Sequence, residues 1–366
     1  MSHGPRVDAT ARAPAASRER SVSIVIPNRN GAATIGACLR AACASRAGRF
    51  EVVVVDDCSE DASLEIIRRF PCKVVPLDRR GGVSKARNAG ARAASGELLL
   101  FVDADCILGE DALSAARAAY GDRRDLVLGG TYTPSPADDD FFSFFQSVFV
   151  HHFETKRPAP DYVAAHAMLV DAELFRRSGG FVEGSFIGVA ASVEDVELSH
   201  RLRRSGCELA MCREMRVQHM FRFSLRRSLA NAVKKARYWT MYSMSNGDLL
   251  ADSGTASVEL KANVALALVQ ALLLASAAVA GSAWPIAAAV PLLALDLHLN
   301  RALVAAWLRA GGLRFSALAT LYYATLYAAA VGLGAAAGAV LYAWNLRSTG
   351  RVRSCAPRSG TCHLSS

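Results

Sequence analysis

At 366 residues the chain has room for one large or two ordinary domains, and its composition splits into two unlike halves: residues up to about 247 read as a soluble α/β domain, whereas 260–344 are rich in Ala, Leu and Val with few charges. The nine cysteines fall without a Cys-x-x-Cys pair or a His/Cys cluster at zinc spacing, which excludes a zinc module and a disulfide framework and fits a reducing cytoplasm. The net charge of +9 gathers between Arg201 and Arg237 and again at Arg347, Arg351 and Arg353; beside apolar spans, this points to an anionic lipid surface rather than to nucleic acid.

Residues 1–20 carry Ala, Arg, Pro and Ser without an apolar core and read as a disordered segment, neither a signal peptide nor a span. A first strand over 22–26 is stopped by Pro27, the loop Pro27-Asn28-Arg29-Asn30-Gly31 follows, and helical spacing runs through Ile35, Cys38, Leu39 and Ala42. A second unit has a strand over 51–55 ending in Asp56-Asp57, Ser59 as a cap, and a helix through Leu64, Ile66 and Ile67. A short strand over 73–77, a small-residue helix over 83–94 after Gly81-Gly82, and the apolar strand 98–102 complete an alternation that predicts a doubly wound parallel sheet.

That last strand ends in Asp103-Ala104-Asp105. Residues two apart on an extended chain point to one side, so the two carboxylates can face one hard cation, Mg²⁺ or Mn²⁺, with phosphate oxygens completing its shell. The same pair also serves as a turn or helix cap, and the pattern alone leaves both readings open.

Beyond it come a helix near 111–120, a strand over 125–131, and the aromatic stretch 141–153, which reads as flexible or membrane-touching. Residues 162–170, a short helix to Arg177 and the turn Gly179-Gly180-Phe181 lead to a helix over 193–204 whose first turn holds Glu194 and Asp195, favourable against the helix dipole. Strands near 207–211 and 216–220 bring His219 toward the same sheet edge. Over 224–242, Leu225, Leu229, Val233 and Trp239 alternate with Arg226, Arg227, Lys234, Lys235 and Arg237, a basic amphipathic helix for a membrane surface. Residues 262–283 are long and apolar enough to span. Residues 284–299 are shorter and interrupted by Pro285, Pro291, Asp296 and His298, so they cross, re-enter or end at the interface, and 315–344 are long enough to cross with tilt or to bend at their glycines. Keeping 301–314 cytoplasmic while counting three crossings puts the basic tail outside, a conflict within the positive-inside rule.

Taken in order, Ser-Ile-Val-Ile-Pro-x-x-Asn (23–30), Val-Val-Asp-Asp-x-Ser (54–59), Gly-Val-Ser-Lys-Ala-Arg-Asn-Ala-Gly (82–90), Phe-Val-Asp-Ala-Asp (101–105), Gly-Gly-Phe (179–181) and Glu-Asp-Val-Glu-Leu (194–198) resemble the family 2 glycosyltransferases. The resemblance covers residues 21–224. It implies a GT-A nucleotide-diphospho-sugar transferase fold, a Rossmann-like mixed α/β sheet, over 21–223. An interfacial helix and linker (224–258), about three transmembrane helices (259–346) and a basic tail (347–366) follow. The implied reaction is inverting transfer from a UDP- or GDP-sugar. The resemblance places Pro27, Asn28, Arg29 and Asn30 at the base and ribose, Asp56 and Asp57 at the base, and Lys85 and Arg87 near the diphosphate. It places Asp103, Ala104 and Asp105 at the metal motif with His219 as a third metal ligand, Asp195 as catalytic base and Glu194 as its helper. The turn at Phe181 and the imidazole of His166 then line the acceptor wall.

Processive members carry Gln-x-x-Arg-Trp on an interfacial helix; here Lys234-Lys235-Ala236-Arg237-Tyr238-Trp239 lacks the Gln and inserts Tyr238, which argues against a polysaccharide synthase. The expectation is a cytoplasmic-membrane, multi-pass enzyme that adds one sugar to a lipid or polyprenyl-phosphate acceptor. A catalytically idle nucleotide-sugar-binding module and a transporter are the competing classes; the triad Asp103, Asp105 and Asp195 disfavours the first, and the scarcity of ionisable residues in the spans disfavours the second.

Overall fold

The computed structural model describes residues 19–46, 48–183 and 193–349; the disordered segment expected over 1–20 and the basic tail lie almost wholly outside the described residues. An eight-stranded sheet in the order β3-β2-β1-β4-β7-β6-β8-β5 forms the body. Strands β1 (Val22–Asn28), β2 (Phe50–Asp56), β3 (Lys73–Pro76) and β4 (Leu98–Val102) are parallel. Strand β5 (Cys106–Leu108) pairs antiparallel with β8 (Glu208–His219), and β7 (Ala167–Asp171) lies antiparallel between β4 and β6 (Leu126–Tyr132). The sheet is therefore mixed rather than all parallel. The chain runs β1 to β3 in one direction and then returns to place β4 on the other side of β1. Carboxyl ends of strands at such a switch point leave a crevice where ligands bind.

Alternation divides the two faces. Val22, Ile24 and Ile26 meet α1 (Ile35–Cys43) on one side, while Val25, Leu99 and Phe101 join residues of α6 (Ala172–Arg177) and α7 (Glu194–Arg204) on the other. Helices α2 (Ser63–Ile67), α3 (Val83–Ala93), α4 (Ala112–Tyr120) and α5 (Phe141–Glu154) complete the layers.

Several local expectations are corrected. Strand β1 runs through Pro27 to Asn28. Even-numbered residues bond β2, as in Asp57 N–H to Asn28 O at 2.8 Å, so the donor Pro27 lacks faces β4, whose pairing with β1 has already ended at Val25. Ser59 caps no helix; Asp61 bonds Ser63 N–H instead. The aromatic stretch is helix α5, started by the Asp140 carboxylate on Ser143 N–H and buried along most of its length. The two strands expected after Gly206 are one, β8, with a register shift opposite Gly129 and Thr131.

Apart from the linker 247–257 and the turn 281–283, the described C-terminal part is helical: α8 (Leu225–Asn246), α9 (Val258–Ala280), α10 (Trp284–Leu299), α11 (Arg301–Tyr322), a π-helical turn (Tyr323–Tyr327) and α12 (Ala328–Thr349). The basic segment 301–314 is helix with one bend at Gly312, where φ is +75°. Two stretches, Val258–Ala280 and Arg301–Arg347, are long and apolar enough to cross a membrane. The helices are fastened to the body by an aromatic cluster in which Trp307 stacks on Phe145 at 5.3 Å and Tyr322 meets it edge-on at 4.9 Å.

Candidate active site

The site is built at the carboxyl ends of β1, β2 and β4. Asp56 and Asp57 sit where β2 leaves the sheet, both buried. Asp56 accepts from Asn28 Nδ2 at 3.0 Å and from Ser59 N–H at 3.0 Å, and Asp57 accepts from Gly81 N–H at 2.6 Å and Gly82 N–H at 2.9 Å. All four carboxylate oxygens are thus engaged in holding two loops. Arg29 donates to the carbonyls of Asp57 and Cys58 at 2.9 and 3.1 Å, and Asn30, in the left-handed region at φ 49°, accepts from Glu60 N–H through its side chain. The loop 27–31 and the turn after β2 are therefore one preformed ledge.

Arg87, on α3, is almost fully buried. Its guanidinium forks between Asp103 Oδ1 at 2.7 Å and Glu194 Oε1 at 2.8 Å, and its carbon lies 5.3 Å from the Phe181 ring centre. The sequence-based expectation put Arg87 at a diphosphate; here both arms are taken by carboxylates, one from the end of β4 and one from the start of α7. Lys85, two residues earlier and half-buried, makes no ion pair among the described residues.

Asp105 and His219 come together, while Asp103, two residues earlier, is engaged by Arg87. His219 stands opposite Cys106 in the β5–β8 register, with Nε2 3.6 Å from Asp105 Oδ1, while the intervening Ala104 packs against the core. Cys106 Sγ lies 3.9 Å from the same oxygen, so a carboxylate, a thiol and an imidazole offer donor atoms within 4.8 Å of one another. Cys106 was not singled out from sequence; its only signal is adjacency to Asp105, because a three-residue strand leaves no periodicity to read.

Burial pushes Asp105 up to about 7, helped by the charge of Asp103. Burial is the largest influence on Asp103 and raises it, but Arg87, His166 and His219 together outweigh burial and leave that carboxyl below its ordinary value. His219 is pulled down to about 3 by burial, so at neutral pH its imidazole is uncharged and keeps a lone pair. Its ring stacks on Phe221 at 3.8 Å.

Asp195 follows Glu194 on the first turn of α7. Its carboxylate accepts from Val196 N–H at 2.9 Å and Ala165 N–H at 3.3 Å, and burial, then the neighbouring Glu194 charge, raise it to about 6. His166, two residues before Met168 in β7, is buried, stacked on Tyr132 at 4.1 Å and 3.5 Å from Glu154 Oε2. Burial lowers its basicity most, but Glu154, Asp103 and Asp195 together outweigh burial and the net shift is upward. The turn at 179–181 is pinned by Asn88, which donates to Phe181 O at 2.7 Å and accepts from Phe181 N–H at 2.9 Å. Gly180 has φ +68° and a Cβ there would stand 2.5 Å from Asn88 Oδ1, so the position admits glycine alone. Phe181 itself packs on Phe101 and Phe175, a wall rather than a reacting group.

Comparison with known proteins agrees with this geometry. Residues 23–177 match the family described as Glycosyl transferase family 2. Over 84 residues the chain is 40% identical to the poly(ribitol-phosphate) beta-N-acetylglucosaminyltransferase TarS of Staphylococcus aureus, covering 22% of this chain and 15% of that one. Over 115 residues it is 38% identical to a PGL/p-HBAD biosynthesis glycosyltransferase of Mycobacterium bovis, covering 29% and 45%. The chain thus spans less than half the length of these curated relatives. Among solved structures, the mannosyltransferase PcManGT from Pyrobaculum calidifontis, in complex with GDP-Man and Mn²⁺, superposes with a TM-score of 0.54 at 20% identity, covering 90% of this chain and 88% of that one. Residues 23–177, and with them the loop after β1 and the Asp103–Asp105 pair, form the part of the chain that matches the glycosyl transferase family 2 model, on a sheet of the GT-A kind.

Proposed function

We propose that the protein is a membrane-anchored, inverting glycosyltransferase that moves one sugar from a UDP- or GDP-sugar to a lipid or polyprenyl-phosphate acceptor. The observation that carries this reading is the Arg87 fork, which ties the end of β4 to the head of α7 and so puts Asp103 and the Glu194-Asp195 pair in one cleft. In this reading the donor's base and ribose lie on the ledge of Pro27, Asn28, Arg29 and Asn30, shaped from beneath by Asp56 and Asp57. Lys85 reaches the diphosphate.

Asp103, Asp105 and neutral His219 would hold a divalent cation. The uncharged imidazole, two carboxylates and an Asp105 to His219 separation of 3.6 Å suit such an ion. Mg²⁺ or Mn²⁺ bound there supplies positive charge opposite the departing nucleoside diphosphate. Asp195 accepts the proton of the acceptor hydroxyl as its oxygen attacks the anomeric carbon and the bond to the diphosphate oxygen breaks. Two backbone N–H groups hold the carboxylate for that task, and Glu194 keeps its basicity up by like charge.

Support for the membrane comes from the apolar faces of α9, α10 and α12 and from Arg226, Arg227, Lys234 and Lys235, exposed on α8. The decisive test presents membranes expressing the wild type or Asp195→Asn with a panel of UDP- and GDP-sugars and a lipid extract, with glycolipid products identified by mass spectrometry. Release of nucleoside diphosphate by the wild type alone is the expected result; no release with any donor would overturn the reading.

A further inference from the structure

Most of the helical region rests on the catalytic body. Helix α11 lies on α5, with Phe315 stacked on Phe144 at 4.4 Å just past the Gly312 bend. Helix α12 starts beside the Tyr327 ring, 5.6 Å from Phe149 of α5, and near its other end Tyr342 joins Val193, Val196 and Met241 around the head of α7. Between these points Gly334 and Gly338 press against α8: a Cβ at either would stand 2.4 Å from the carbonyl of Val233 or Arg237. A helix of that length is about 33 Å long, and it touches the same body at both ends. It runs along the body and cannot deliver the chain to the far side of a bilayer.

One projection remains. Helix α9 is rooted by Glu259 on Lys156 at 2.7 Å and by Asn263 Nδ2 on Tyr323 O at 3.1 Å. Beyond Val264 it leaves the body, and Leu272 and Val279 are 61% and 91% exposed. Helix α10 returns with Trp284 66% exposed and rejoins where Asp296 accepts from Asn300, itself bonded by Tyr323. From Val264 to Gly281 is about 25 Å, and from Trp284 to Asp296 about 18 Å, against a hydrocarbon core of about 30 Å.

We infer that α9 and α10 form a re-entrant hairpin, which enters the bilayer from the catalytic side, turns near its middle and comes back. The described residues then make no complete crossing, and α12 ends on the same face as the active site. This replaces the three crossings that hydropathy suggested and removes their conflict with charge: Arg301, Arg309, Arg314 and Arg347 all stay on the catalytic side. The turn suits a place without water. Gly281 and Ser282 N–H both donate to Ala277 O, and Pro285 has no N–H to satisfy. Exposed Arg226, Arg227, Lys234 and Lys235 on α8 match an anionic headgroup layer.

The inference rests on the membrane reading above, and its test separates the two. Full-length protein is reconstituted into phosphatidylcholine vesicles containing phosphatidylglycerol, with bromine placed at graded depths along the acyl chains. Quenching of Trp284 is taken as the difference between the wild type and Trp284→Phe. Bromines near the chain ends should quench at least twofold more than bromines near the headgroups, and a C-terminal tag should be reached from the same vesicle face as the catalytic domain. Strongest quenching by shallow bromines, or a tag on the opposite face, would overturn the hairpin and leave membrane anchoring intact. Complete release of the protein by alkaline carbonate would overturn both.

Discussion

Arg87 touches both halves of the proposed chemistry, and its substitution separates a positioning role from a phosphate-binding one. Arg87→Gln leaves the buried Glu194 and the half-buried Asp103 without their shared cation, an expected loss of about 2–4 kcal/mol, read as a lowered Tm. Arg87→Lys keeps the charge but not the fork and should fall between the two in both Tm and turnover. A donor KM that rises while Tm stays unchanged would assign the residue to the diphosphate instead. At Asp195, replacement by Asn should lower turnover about 10²- to 10⁴-fold with donor binding retained, measured by nucleoside diphosphate release and by calorimetry. Because this carboxyl is raised to about 6 and acts as its anion, kcat/KM should fall about tenfold per unit as pH drops below 6. Glu194→Gln removes the like charge and should move that acid limb to lower pH. Asp103, Asp105, Glu194 and Asp195 were legible in the sequence as residue types at telling positions. The Arg87 to Glu194 pair was not, because 107 residues separate them and only the packing of α3 beside α7 joins them.

Elements differ in how plainly they are written. Strands β1, β2 and β4, covered on both faces, read as unbroken apolar runs. Helix α5 hid because Phe141, Phe144, Phe145 and Phe149 make more than one face apolar, and the aromatic rings of α11 that cover it come some 160 residues later in the chain. Strand β8 read as two because Arg213 and Glu214 interrupt its middle. The contact of α12 with α8 depends on two glycines, so Gly334→Leu or Gly338→Leu should force the helices apart and lower Tm in detergent by several degrees, while Leu333→Ala on the exposed side should leave it within a degree. Asp161 bonds His200 of α7 and Ser253 of the linker before α9, and although burial opposes it, these bonds and Arg203 hold its carboxyl well below the usual range. The stability this gives is complete above the unfolded value of about 4 and is lost as pH falls toward the folded value, so Asp161→Asn should flatten the acid end of the stability profile.

At the scale of the whole molecule, the helical half and the catalytic half share one core. Trp307, fully buried, and Tyr322, Tyr323 and Tyr327 cover α5, so residues 1–223 expressed alone expose Phe141, Phe144, Phe145 and Phe149 together. That fragment is expected to elute as an aggregate in size-exclusion chromatography, and a monodisperse, donor-binding fragment would show the two halves to be separable.

The grip on α7 has a consequence for regulation. Its first turn presents Glu194 and Asp195, and His200, little more than one turn further along, is clasped by Tyr242 of α8 at 2.8 Å and by Asp161 at 3.0 Å. The same rod therefore carries the proposed proton acceptor at one end and a joint to α8, the layer proposed to meet the membrane, near the other. On that proposal, lateral pressure or thickness in the surrounding lipid, by tilting α8, would reset the reach of Asp195 and make the bilayer a tuning element for turnover.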